Sequence, residues 1–201
     1  MSVTIADAVF ASGVIATLAL LACVVVSIVW PERRYWPPAE RNWKYWSHWT
    51  IDAVSKLSLP ALAWLDRGTS VLPRPTSLVL GGLLTLVGVA VAVAVERDLG
   101  QAESMGLEGT LTTDGLYRYS RNPQYVGLIA ATVGIPLLAN SRLALGLGAV
   151  ILVHWLVLPL AEEPWLADRY GEAYERYRAS VPRFVGPTTL SRLWADVIGQ
   201  D

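Results

Sequence analysis

Two adjacent carboxylates, Glu162 and Glu163, stand where a long apolar run gives way to polar sequence. Like charges side by side at a low-dielectric boundary repel each other unless a cation compensates them. The pair is therefore either a solvated helix end or a holder for the ammonium group of a ligand. A second polar segment, EGTLTTDGLYRYSRNPQY at 108–125, carries a turn at Thr112, Thr113, Asp114 and Gly115. It ends in Asn122-Pro123, a dipeptide that favours a helix start with Asn122 as N-cap. A helix N-terminus is a ready anion site, and Arg121 beside it adds charge, although an arginine at a membrane boundary is also an ordinary topological signal. Together these residues suit a ligand that has both a cationic and an anionic group. A third constellation, His48, Asp52 and Lys56, is spaced i, i+4, i+8 and shares one helix face. It is either a polar stripe satisfied inside a bundle or the lining of a substrate cavity.

The background of these residues is unusually apolar. Of 201 residues, 53% are hydrophobic and 16% charged, against about 25% charged in ordinary soluble domains, and the mean hydropathy is +0.40. That composition points to an integral membrane protein. A net charge of −1 and the lack of a basic stripe argue against a nucleic-acid binder. One cysteine, Cys23, excludes a disulfide framework, and two histidines far apart in the chain, His48 and His154, make a metal centre unexpected.

The apolar runs define the elements that must position the polar segments. The first, roughly 6–30, lacks the positively charged start and short apolar core of a signal peptide and is expected to be a retained transmembrane helix. A second runs from about 78 to 95; at 1.5 Å per residue it covers about 27 Å, close to the hydrocarbon thickness. Two more, about 125–139 and 143–161, are separated by Asn140, Ser141 and Arg142, a turn short enough to force an antiparallel hairpin. That hairpin returns segments 108–125 and 160–185 to one membrane face. Residues 46–65 form a weaker candidate because they contain His48, Asp52, Lys56 and Pro60. Counting them gives an all-α bundle of about five spans. The loops at 31–45 and 96–123 and the tail from 162 then share one side with most of the arginines, leaving Arg67, Arg74 and Arg142 on the other. Positive-inside bias places the rich side, with the candidate site and the C-terminus, in the cytoplasm and the N-terminus outside.

The aromatic stretch PERRYWPPAERNWKYWSHW at 31–49 suits the headgroup level as an anchor or as a substrate gate. Leu166, Tyr170, Tyr174 and Tyr177 form a helical stripe, interrupted by Gly171 and ended by Pro182, that reads as an amphipathic tail helix packed on the membrane surface or over the bundle. Without repeats or linkers, residues 1–201 read as one domain, with N-terminal spans at 1–95 and a ligand-binding core at 96–185.

GLYRYSRNPQY at 115–125, some 36 residues of hairpin, EEPWLADRYGEAYERY at 162–177 and VPRF at 181–184 together resemble the isoprenylcysteine carboxyl methyltransferases and the related membrane phospholipid methyltransferases. The likeness covers about 96–185. It implies an S-adenosylmethionine site whose contacts fall on Gly109, Thr110, Leu111, Thr112, Tyr117, Asn122, Pro123, Gln124, Tyr125 and Glu162, with Glu163 and Arg121 beside them. Methyl transfer from a sulfonium needs orientation and exclusion of water more than a side-chain acid or base, so no catalytic residue is assigned. The chain departs from the family pattern twice. Asn122 replaces a usual histidine, and Leu158 stands where the carboxyl methyltransferases place an arginine. The acceptor is then expected to be a lipophilic molecule from the bilayer, an amine or thiol more readily than a carboxylate, with His48, Asp52 and Lys56 as candidate contacts. An NADPH-dependent sterol-type reductase and a membrane protein that binds a ligand without turnover are the alternatives. Oligomeric state is open.

Overall fold

A computed structural model of the chain describes residues 3–70, 72–99, 105–107 and 109–199. The described elements are helical: α1 (Ile5–Val29), α2 (Trp43–Leu65), α3 (Arg74–Leu99), α4 (Pro123–Ala139), α5 (Arg142–Tyr170), α6 (Glu172–Ser180) and α7 (Pro187–Ile198), with 3-10 turns at Pro31–Arg33 and Gly115–Arg118. Helices α1, α3 and α5 are long and apolar enough to cross a bilayer, and α4 is a shorter apolar helix.

Helix α2 is long enough to span at about 34 Å, and its two faces explain its weak hydropathy. His48, Asp52 and Ser55 are buried, while Trp46, Val54, Leu57 and Trp64 are exposed. A helix that is polar inward and apolar outward is arranged for lipid, and the same outward apolar surface continues over Ile15 and Leu18 of α1 and Leu83, Leu86 and Val87 of α3. Thr17 and Ser55 hydrogen-bond at 2.7 Å between α1 and α2, so the polar stripe is partly satisfied within the bundle.

Capping fixes where the helices begin. The Asn42 side chain accepts from the backbone N–H of Lys44 and Tyr45, and that of Ser141 accepts from Ala144. At the far end of the bundle Asp66 gathers the α2 terminus and the α4–α5 turn: its Oδ2 accepts from Ser141 Oγ at 2.7 Å, Thr69 Oγ1 at 2.8 Å and the Leu143 N–H at 2.8 Å. Asn140 closes α4 in the left-handed conformation at φ 52°.

Helices α3 and α4 approach backbone to backbone. A Cβ added to Gly88 would lie 2.5 Å from the amide nitrogen of Ala131, and one added to Gly134 would lie 2.4 Å from that of Thr85. Gly81 and Gly127 face the same seam, the small-residue packing that serves where lipid supplies no hydrophobic drive. The main core joins Val24, Leu59, Leu62, Leu147, Ile151, Trp155 and Leu158 from α1, α2 and α5.

Three expectations change. Helix α5 does not end near residue 161; it continues to Tyr170 through Pro159 and Pro164. Glu162 and Glu163 are thus inside a helix, about 100° apart around its axis, rather than at its solvated end. The Leu166–Tyr177 stripe divides into two helices at Gly171, whose φ of 54° suits glycine. Helix α7 has no counterpart in the sequence reading.

Candidate functional site

A cleft of about 820 Å³, its open mouth included, lies between the end of the helical hairpin opposite its turn and the segments flanking it. Gly109, Thr110, Leu111, Thr112, Tyr117, Arg121, Asn122, Gln124, Tyr125 and Glu162 all line it. Of the sequence candidates for this ligand, Pro123 and Glu163 are not on its wall.

Glu162 is held from two sides. Trp36 Nε1–H donates to its Oε1 at 2.6 Å and the Tyr125 hydroxyl donates to the same oxygen at 2.5 Å. Among the described residues, no donor reaches Oε2. One carboxylate oxygen is thus fixed by the protein and the other remains for a ligand cation.

Glu163 does different work one residue on. Its oxygens accept from Arg183 Nε at 2.8 Å and Arg183 Nη2 at 2.7 Å, a bidentate pair, and Arg121 Nη2 lies 3.2 Å from Oε1. The hydrogen bonds to Glu163 raise the pKa of Arg183 further. Glu163 therefore ties the tail to α5 and holds Arg121 by one nitrogen. Nε and Nη1 of Arg121 are buried without a partner among the described residues, and the side chain lines the cleft with only 10% of its surface exposed. Unsatisfied buried donors of this kind are expensive unless a ligand accepts from them.

The rest of the wall is aromatic. Tyr170 donates its hydroxyl to the Gly109 carbonyl at 2.8 Å, and Tyr177 donates to that of Tyr117 at 2.8 Å, so α5 and α6 hold the upstream loop in place. Tyr174 lines the cleft, its buried hydroxyl without a partner among the described residues. Burial pushes the Tyr174 and Tyr177 phenols well up, keeping them neutral. The Asn122 side chain does not cap α4; it donates to the Arg183 carbonyl at 3.0 Å, while the Arg121 N–H reaches the Pro182 carbonyl at 2.9 Å. The helix N-terminus is thus kept open by a side chain used elsewhere.

Trp36 is the wall residue that sequence reasoning placed elsewhere, as part of a surface aromatic cluster. Ser27 Oγ in α1 accepts from the backbone N–H of Tyr35 and Trp36 at 2.9 and 3.0 Å, turning the chain back over the bundle. Gly106 completes this fit, since a Cβ there would lie 2.8 Å from the Trp36 ring. Trp165, Tyr170, Tyr174 and Tyr177 join it on the wall. The tyrosine stripe was legible as a helix face but gave no signal of which cavity it would line.

His48, Asp52 and Lys56 are not on the cleft wall but behind it. His48 stacks on the far side of Trp36, ring centroids 3.9 Å apart. Asp52 and Lys56 pair at 2.7 Å, and Lys56 Nζ lies 4.2 Å from the Trp155 centroid, a cation–π contact. Trp155 in turn stacks on Tyr125 at 5.7 Å. His154, buried beside Trp155, has neither ring nitrogen partnered among the described residues, and the same holds for Nδ1 of His48. Trp36 touches the rear group directly and Tyr125 reaches it through Trp155, so the two rings stand between two polar regions.

The family model for phospholipid methyltransferase matches residues 76–173, from the start of α3 into α6. A protein-S-isoprenylcysteine O-methyltransferase of Schizosaccharomyces pombe is 34% identical over 73 residues, covering 36% of this chain and 31% of that protein. The chain spans about a third of the length of this curated relative. No solved structure matches the chain. The glutamate, the arginine and the loop that build the cleft all fall inside the matched segment, which resembles the phospholipid methyltransferases over just under half of the chain, and this likeness supports a membrane methyltransferase.

Proposed function

We propose that the chain is a membrane-embedded methyltransferase that binds S-adenosylmethionine in the cleft and methylates a lipophilic acceptor delivered from the bilayer. One observation carries the reading: a single aromatic-walled cleft offers a carboxylate oxygen at Glu162 and two buried donors on Arg121 that have no partner among the described residues. An amino-acid end with ammonium and carboxylate matches that donor set, which is the zwitterion such a cofactor presents. When bound, the cofactor supplies an electrophilic methyl group on a sulfonium. Glu162 would receive the ammonium, Arg121 and the N–H groups opening α4 would receive the carboxylate, and Tyr117, Trp165 and Tyr170 would cover the remainder. The aromatic wall excludes water, which favours the in-line displacement.

The acceptor would arrive on the α2 side. The group formed by His48, Asp52, Lys56 and His154 is polar within a bundle whose outer surface is apolar, and it meets the cleft across Trp36 and Tyr125. Leu158 is buried in the core and offers no cation to a carboxylate, so a lipid amine or a lipophilic thiol fits better than the prenylcysteine carboxylate that the yeast relative's name implies. The arginine-rich loops support a cytoplasmic position for the cleft and the C-terminus. Both comparisons are with methyltransferases, and neither is with a reductase.

The test is methyl transfer in nanodiscs with a radiolabelled methyl donor. Discs would contain phosphatidylethanolamine, a prenyl thiol, or a prenylcysteine with a free carboxylate. Label in the first or second supports the proposal. Label in the third alone would overturn the acceptor assignment, and no label with any acceptor, together with no binding of the demethylated donor, would overturn the activity.

A further inference from the structure

Helix α7 carries a feature that methyl transfer does not use. Leu190, Leu193, Trp194, Val197 and Ile198 recur at i, i+3, i+4, i+7 and i+8, one face of a helix. That face is bare: Leu190 is 62% exposed, Trp194 66% and Val197 79%. The opposite face is tied along its length to the segment just before α4. Thr189 Oγ1 donates to the Tyr119 carbonyl at 2.6 Å, Asp196 accepts from Arg118 Nη2 at 2.8 Å and from the Tyr119 hydroxyl, and Arg192 donates to the Arg118 carbonyl. The helix thus grips residues 118–119, immediately after Tyr117 of the cleft wall, and leaves its apolar side outward.

The position of α7 identifies what covers that side. Three residues before the helix starts, Phe184 packs against the transmembrane core, and Val185 beside it is 57% exposed. Ser120 and Asn122 hold the Arg183 carbonyl, one residue before Phe184. The helix therefore leaves the bundle at the level where α4 begins, with its bare face unpartnered among the described residues. A tryptophan among leucine, valine and isoleucine suits the headgroup boundary. Its charged residues, Arg192 and Asp196, are committed to the loop, which leaves insertion rather than charge attraction to hold it there.

We infer that α7 is an interfacial helix that seats its Leu190–Trp194–Val197 face in the headgroup region of the bilayer and in doing so clamps the 117–121 segment of the cleft wall. The inference does not rest on the identity of the bound donor.

A test uses Val197→Cys in a Cys23→Ser background, labelled with nitrobenzoxadiazole, in phosphatidylcholine nanodiscs holding one protein copy. A label at Glu172→Cys, whose native side chain is 95% exposed, serves as the comparison. The expected result is at least threefold stronger quenching of the Val197 label by shallow doxyl-labelled lipid, protection from aqueous iodide, and no change on raising salt. Leu190→Glu with Trp194→Glu should then speed hydrogen exchange of the 117–121 amides severalfold. Iodide access equal to that at Glu172, or protection that appears only with two copies per disc, would overturn the docking. Unchanged exchange in the double variant would overturn the clamp.

Discussion

At the scale of single residues, the adjacent carboxylates separate into two roles because one residue turns a helix by about 100°. Glu162→Gln keeps the shape and both donors around Oε1 but removes the charge. It should weaken binding of S-adenosylhomocysteine by tenfold or more, about 1.4 kcal/mol or above, with little change in thermal stability. Glu163→Gln should act mainly on stability, with a smaller loss of binding through the Arg121 it holds. It strips the bidentate partner of Arg183 and costs about 2 kcal/mol of stability, less than a fully buried pair because the Arg183 side chain is 38% exposed. Thermal melts alongside titrations separate the two. Asp66 gives a pH signature. Burial raises its pKa, but the Leu143 N–H and the Ser141 and Thr69 hydroxyls outweigh that and hold the pKa below the usual carboxylate range. A depressed folded pKa gives stability that is present above the unfolded value, near pH 4, and is lost as pH falls through the folded one. Melts of the wild type should therefore drop below about pH 4 by more than those of Asp66→Asn.

At the scale of elements, the apolar runs made α1, α3 and the α4–α5 hairpin readable, because lipid imposes length and hydropathy on any helix that faces it. The i, i+4, i+8 spacing also placed His48, Asp52 and Lys56 on one buried face of α2. Long-range pairings were not readable. Nothing local in Trp36 says that Ser27 turns it toward Glu162. Nothing in Glu163 says that its partner is twenty residues downstream, nor in Asn122 that its amide serves Arg183 instead of its own helix. Helix α5 was underestimated because two prolines and two glutamates resemble an end, whereas buried partners carry the helix past them. The α3–α4 seam yields its own prediction. Gly88→Leu and Gly134→Val would each drive a Cβ into backbone and should cost at least about 2 kcal/mol, seen as a lower melting temperature and early aggregation in detergent. Gly68, where an added Cβ would meet no described atom within 4 Å, can be replaced by Asn, which tolerates its left-handed backbone, with a much smaller loss.

At the scale of the whole molecule, a bundle with an apolar exterior encloses two polar regions in contact across Trp36 and Tyr125. That arrangement suits a reaction between a water-borne donor and a bilayer-borne acceptor, each entering by its own side. Asp52→Asn combined with Lys56→Met, which removes both charges together, should lower methyl transfer to the accepted lipid at least tenfold while donor affinity changes less than twofold. Equal losses in both would instead make the cluster a structural support of the cleft. A donor site built on Glu162 is tested most directly by calorimetric titration of S-adenosylhomocysteine into nanodisc-reconstituted protein, with NADPH titrated in parallel. Saturable binding of the first in the micromolar range, lost in Glu162→Gln, and no binding of the second is the predicted result. Binding of NADPH alone, or S-adenosylhomocysteine affinity indifferent to Glu162→Gln, would contradict it.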